Sequence, residues 1–329
     1  MWVYNSRSQT EWRDFCERYT SNLLYKRYQK RIEPLQVLGD YNIDNAIAEA
    51  SNMKASKGDS IQFYPGGIAY EVFKSLAVID KSFYMFLLKK GINPLDPSPK
   101  DREQESPIHR KIKPLVYYRY YFRKEGAVRS RKIVRFNHGK KHIYDLSDGN
   151  LRAFVNLMNE LLKNVELDSN GNPKRIKLNI QARVIEQFSR EYFYPRIVFY
   201  PDSNIRYQNK TISLQKIIDL IGNFFYRKIV IDDFSADPYS FFRFDENCPE
   251  EFRRFLEIAL ESGGILMTED EANIRGVRKG CKVYRLAYSL YPYYNLPQRD
   301  YNVVDLSRIL YTITFKNRVK EKKGDQLKI

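Results

Sequence analysis

Apolar residues recur along this chain at intervals of three and four, and that spacing commits most of it to helices. Leu214, Ile217, Ile218, Ile221 and Phe225 fall on one face of a helix over about 213–226. Trp12, Phe15, Tyr19 and Leu23 do the same near the start, with Thr10 as the expected N-cap. Leu151, Phe154, Val155, Leu157, Met158, Leu161 and Leu162 mark a helix over 147–162. Further helices are expected over about 43–53, 68–76, 80–90, 180–192 and 249–261. Pro249 suits the first position of the last of these, and Gly263 and Gly264 close it. Only Ile265-Leu266-Met267 and the run Lys282 to Leu286 read as strands, joined by a polar loop. The expected fold class is therefore mainly α with a small β component.

Breaks in the pattern divide the chain. Pro94, Pro97, Pro99 and Pro107, with Pro114 beyond them, mark a loop or linker after the first helices. Asp-Ser-Asn-Gly-Asn-Pro at 168–173 is the strongest turn signal and is read as a domain boundary. A length of 329 residues exceeds one ordinary core. The expected units are a helical N-terminal region over 1–104, a helical domain over 105–168 and a third domain over 174–312. The basic tail, 313–329, is expected to be disordered. In the third domain, three helices followed by a two-stranded hairpin is the layout of a winged helix.

Charge points to the partner. The chain carries 56 Lys and Arg against 40 Asp and Glu, a net charge of +16. Such a surface attracts polyanions, nucleic acid above all. Between Pro107 and His142 stand twelve basic residues and one acidic residue, Glu125, interleaved with Tyr117, Tyr118, Tyr120, Tyr121 and Phe122. Arginine grips phosphate bidentately and tyrosine can stack on bases, although the same tyrosines could equally pack in a core. Arg123, Arg129, Arg131, Lys132 and Arg135 are the expected contacts there. The hairpin loop offers Arg275, Arg278 and Lys279, followed by Lys282. The preceding helix carries Arg253 and Arg254 among Glu250, Glu251, Glu257 and Glu261, so the hairpin is expected to contribute more than that helix.

Other chemistries find little support. Cys16, Cys248 and Cys281 form no C-x-x-C pair, which speaks against a zinc knuckle or disulfide framework and for a reducing, cytoplasmic setting. No run of 18 apolar residues and no apolar signal segment are present, so no membrane partner is expected. His138 and His142 are four apart, but Gly139 interrupts a regular helix and no third metal ligand is evident. Asp232, Asp233 and Asp237 keep a metal-dependent nuclease open as an alternative. An adaptor that uses the winged helix for protein contact is another. No catalytic residue is assigned.

The segment "HIYDLSDGNLRAFVNLMNELL" resembles the lid helix of AAA ATPases of the origin-recognition initiator type. The upstream "RSRK" and the downstream "KVYRLAYSLYPYYNLP" are similar to bacterial members of that group. The resemblance spans roughly residues 105–300. It implies a lid-like helical bundle followed by a C-terminal winged helix that binds DNA. It further implies that Gly149, Asn150 and Arg152 face bound nucleotide. The sequence departs from such an ATPase in one respect: G-x-x-x-x-G-K-[ST] occurs nowhere. The stretch "GGIAYEVFKS" lacks the Gly-Lys pair, and Ile229-Val230-Ile231-Asp232-Asp233 follows the lid in the wrong order to serve as a magnesium-binding strand. ATP and magnesium are thus expected only if an ATPase core completes the site. That core would belong to a longer parent chain or to an ATPase subunit; self-association is a further expected contact. Purified chain is expected to release no phosphate from ATP above background. Turnover that disappears in Asp232→Ala would contradict this.

Overall fold

The computed structural model describes residues 3–4, 6–51, 62–99, 107–124, 136–201, 203–268 and 282–311. Helices dominate and strands form two small sheets, in keeping with the expected class. The N-terminal half holds β1 (Val3–Tyr4), α1 (Ser6–Tyr28), α2 (Pro34–Leu38), α3 (Ile43–Ser51), α4 (Ile68–Ile79), α5 (Lys81–Lys89), α6 (Pro107–Lys124), α7 (Lys140–Leu146) and α8 (Leu151–Leu162). The C-terminal half holds α9 (Leu178–Gln187), α10 (Tyr194–Val198), β2 (Asn204–Tyr207), β3 (Lys210–Ser213), α11 (Leu214–Tyr226), β4 (Tyr239–Arg243), α12 (Phe252–Glu261), β5 (Ile265–Thr268), β6 (Val283–Leu286), α13 (Tyr291–Tyr294) and β7 (Asn302–Asp305).

Several boundaries differ from the sequence expectation, each for a local reason. The helix expected from 147 starts at Leu151, because Asp148 and Gly149 both take positive φ (50° and 76°). Asn150 then caps the helix, its Oδ1 accepting from the Ala153 amide at 3.0 Å. The helix at 180–192 is longer than expected and changes winding. α9 runs into a π-helical stretch, Phe188–Phe193, and then into α10. Ile229-Val230-Ile231 lies in a second π-helical stretch, Arg227–Ile231, that continues α11. Pro107 opens α6 and Pro114 lies inside it. The turn at 168–173 forms as read. The Asp168 carboxylate accepts from the amides of Asn170 and Asn172, both at 2.8 Å.

The larger sheet runs β1-β5-β6-β4-β7. β5 and β6 pair antiparallel from Ile265↔Leu286 to Thr268↔Val283, as the two strands expected from sequence. β4 joins β6 antiparallel, and the two outer strands are parallel additions from the chain ends: β1 on β5 and β7 on β4. Those additions, and the β2–β3 hairpin with Gln208 and Asn209 at positive φ, were not signalled by apolar alternation. One core cluster runs from Cys16 to Leu310, so buried side chains are continuous past the loops at 92–106 and 168–173.

Two buried aspartate–arginine pairs cross this core. Asp80 caps α5, accepting from the amides of Ser82 and Phe83, and also pairs with Arg119 of α6 and, at 3.0 Å, with Arg123. Arg119 is fully buried and Asp80 is 2% exposed. The Arg119 guanidinium also donates to the carbonyls of Ile229 (3.0 Å) and Asp232 (2.5 Å), closing the end of the α11 extension. The second pair joins Asp148, in the turn before α8, to Arg285 of β6 at 2.6 and 3.2 Å. Tyr288 donates its amide to Asp148 at 2.5 Å, and its ring lies 3.8 Å from the Arg285 guanidinium carbon.

Breaking one partner of such a pair leaves a charge in apolar surroundings. Arg119→Met is expected to lower stability by about 3–5 kcal/mol, read as a shift in the urea midpoint. Burial alone would raise the Asp80 carboxyl, but hydrogen bonds from Arg119 and Ser82 hold it below the usual range. Its contribution is therefore present at neutral pH and lost as pH falls through the lowered value. The variant should lose that acid limb. An unchanged midpoint and acid limb would contradict the assignment.

Candidate functional site

The hairpin expected to carry DNA contacts is built from short apolar strands. Every residue of β5 and β6 is buried, because α12 packs on one side and β1 and β4 flank the pair. Thr268 and Val283 are paired, so the intervening loop leaves and re-enters the sheet at one rung. Arg275, Arg278 and Lys279 lie outside the described residues. Lys282 stands exposed at the foot of β6. On α12, Arg253 pairs with Glu250 in the turn before the helix and Arg254 with Glu257 (3.0 Å), so both arginines are occupied by neighbouring carboxylates. That leaves the helix little positive charge to offer a phosphate.

The basic and aromatic stretch resolves into core and periphery. Tyr117, Tyr118 and Tyr120 are buried in α6, and the Tyr117 hydroxyl donates to Asp44 at 2.5 Å. They pack rather than stack on bases. Arg123 turns inward, donating to the carbonyls of Val230 (2.6 Å) and Ile231 (2.5 Å) as well as pairing with Asp80. Its guanidinium is spent on a helix end, so Arg123 leaves the set of DNA contacts. Arg129, Arg131, Lys132 and Arg135 lie outside the described residues.

Gly149, Asn150 and Arg152 do come together, lining a cleft of about 720 Å³ with Glu257, Leu260, Glu261, Gly263 and Leu266. The start of α8 faces the end of α12 across it. The Asn150 side chain is used as the helix cap, and the Asp148 carboxylate is held by Arg285. Burial disfavours charge on that pair, but the carboxylate beside Arg285 keeps its guanidinium firmly protonated. The cleft therefore presents one cation, Arg152, against the carboxylates of Glu257 and Glu261. That donor set does not suit a triphosphate without groups from elsewhere.

The candidate metal ligands are structural. The His138 ring accepts the Asn42 amide at 3.1 Å, and His142 contacts Asn137 Oδ1 at 3.1 Å. Tyr41 stacks on His142 with ring centroids 5.3 Å apart. Asp232 accepts from Lys228 and Asp237 from Lys111, both at 2.7 Å. Among the described residues no group of three or more His, Cys, Asp or Glu is placed to hold a metal. Nor is any helix among them long and apolar enough to cross a membrane. Sequence reasoning missed Asp80, Asp148, Arg119 and Arg285, whose partners are 39 and 137 residues away. The one local signal was an Asp immediately before a helix.

A family model described as ORC-CDC6-like matches residues 3–306, a longer span than the 105–300 of the sequence resemblance. No curated protein and no solved structure matches the chain.

Burial and the neighbouring His138 push His142 down to about 3, so the ring stays neutral in the fold. An unfolded histidine protonates near pH 6.5. Stability is then complete above about pH 6.5 and falls below it by up to about 1.4 kcal/mol per pH unit. Urea midpoints at pH 7.5, 6 and 5 should show that decline, and His142→Phe should flatten it. A decline of equal slope in both proteins would contradict this account.

Proposed function

We propose that this chain, which belongs to the ORC-CDC6-like family, is an initiator-type relative that binds duplex DNA through the β5–β6 hairpin. The observation that carries the reading is the order α11, β4, α12, β5, β6 with β5-β6-β4 antiparallel. A helix, a strand, a second helix and a hairpin closing on the first strand is the arrangement expected of a winged helix. The hairpin loop holds Arg275, Arg278 and Lys279, with Lys282 at its foot, in a chain of net charge +16. The paired arginines of α12 favour the loop over the helix as the main contact. Gly276 and Gly280 stand among these cations in the sequence, and glycine carries no side chain to keep a backbone at a distance. Arg129, Arg131 and Lys132 form a second candidate contact.

The cleft at the start of α8 fits a subordinate role. Gly149, Asn150 and Arg152 would face a nucleotide only where a separate ATPase core supplies the phosphate-binding loop and the metal ligands. Arg152 would then add one cation toward the phosphates. A bound nucleotide supplies an equilibrium that such a lid can follow. This chain's own part is to hold Arg152 at the first turn of α8, through the Asn150 cap and the buried Asp148–Arg285 pair.

The triple variant Arg275→Ala, Arg278→Ala, Lys279→Ala is expected to weaken duplex binding about tenfold or more at physiological salt. Loop substitutions away from the core alter stability by less than about 0.5 kcal/mol, so the fold should persist. Native binding should fall with salt at a slope near −0.9 per phosphate contact. Arg129→Ala, Arg131→Ala, Lys132→Ala is the comparison. A hairpin variant that binds as the native chain does, beside a weakened second variant, would transfer the contact to the basic stretch. Salt-independent binding would remove the polyanion reading.

A further inference from the structure

We infer that the C-terminal end of α1, with the segment 174–177 that packs beside it, is a second nucleic-acid surface engaging phosphates of the duplex about one helical turn from the hairpin. The choice of partner rests on the DNA reading above; the surface itself does not. Lys26, Arg27, Lys30 and Arg31 stand within six residues, and all four are exposed. The fold brings Lys174 and Arg175 to them. Lys30 Nζ donates to Asn172 Oδ1 at 2.9 Å, and the Ile176 amide donates to Val37 O at 2.9 Å. Gly39, at φ 66°, has no side chain to obstruct the Arg175 guanidinium lying against it. Lys177 completes the row, with Glu166 4.0 Å from its ammonium.

Some exposed cations elsewhere sit beside an acid three or four residues away: Lys163 with Glu160, Arg190 with Glu186, Arg253 with Glu250, Arg254 with Glu257. Among the described residues no salt bridge joins Lys26, Arg27, Lys30, Arg31 or Arg175 to an acid, and Lys174 lies near Asp168. The acids on this face are Glu33, Asp40, Glu166 and Asp168. Asp168 is occupied by the amides of Asn170 and Asn172. A helix C-terminus favours one or two cations through its dipole, and this end carries more. Tyr25, 51% exposed, and the Tyr28 ring, 5.7 Å from the Arg27 guanidinium carbon, add planar groups beside the charges.

Position argues for one ligand reaching both surfaces. α1 begins at Ser6, directly after β1, and β1 pairs with Met267 and Thr268 at the foot of the hairpin loop. α1 has 23 residues. At 1.5 Å per residue its far end is about 34 Å away. At about 3.4 Å per base pair that is ten base pairs, close to one turn of duplex.

The test is fluorescence anisotropy on a 24-base-pair duplex over a salt series. It compares the native chain, the hairpin triple variant and Lys26→Gln, Arg27→Gln, Lys30→Gln, Arg31→Gln. The quadruple variant should bind at least tenfold more weakly, with a salt slope shallower by about two or more. The smaller pair Lys26→Gln, Arg27→Gln should show an intermediate loss, and circular dichroism should match the native chain for both. Native affinity and slope in the folded quadruple variant would overturn the inference. So would loss of binding to phosphatidylserine vesicles with duplex binding unchanged. A hairpin variant with native binding beside a weakened α1 variant would overturn the hairpin reading and leave this surface standing.

Discussion

Asp80 must stay charged where water does not reach, and much of the helical packing follows from that requirement. One carboxylate caps α5 and receives Arg119 and Arg123 from α6. Arg119 then spends its remaining donors on carbonyls at the end of the α11 extension. Three elements far apart in sequence are tied through two side chains. Each group satisfies another that would otherwise be buried alone, at a cost of several kcal/mol. The π-helical winding of Arg227–Ile231 sits where this happens, because carbonyls that bond an arginine need not bond the next turn.

The Asp148–Arg285 pair does comparable work on the other side of the core. It fixes the turn before α8 against β6, the returning strand of the hairpin. β6 is held by β5, by β4 and by this pair. The same carboxylate shapes one wall of the cleft that contains Gly149, Asn150 and Arg152. Cleft and hairpin are thus adjacent through one buried ion pair.

The charge of +16 is not one surface. Arg119, Arg123 and Arg285 are consumed by the core, and the α12 arginines by their own carboxylates. Among the described residues, Lys26, Arg27, Lys30 and Arg31 at the end of α1 stand exposed beside Lys174 and Arg175, and Lys282 stands exposed at the foot of the hairpin. Arg123 illustrates the difference. In sequence it is one of twelve basic residues between Pro107 and His142, whereas in the fold it shares with Arg119 the capping of four carbonyls at a helix end.

Helices over 214–226 and 151–162, the β5–β6 pairing and the turn at 168–173 could be read directly, because periodicity and turn chemistry are local. The start of α8 is a local feature of the same kind, because the Asn150 cap depends on the Ala153 amide three residues on. The outer strands β1 and β7 were not legible, since two to four residues carry no period and are strands only because a sheet edge waits for them. The tyrosines of α6 could have faced a base or the core, and packing against α4 and its neighbours decided for the core. Sequence alone determined the helical class, the hairpin and the positive charge. Tertiary structure decided which arginines are spent inside and which remain for a phosphate, because a cation's role depends on the carboxylate or carbonyl that distant chain brings to it.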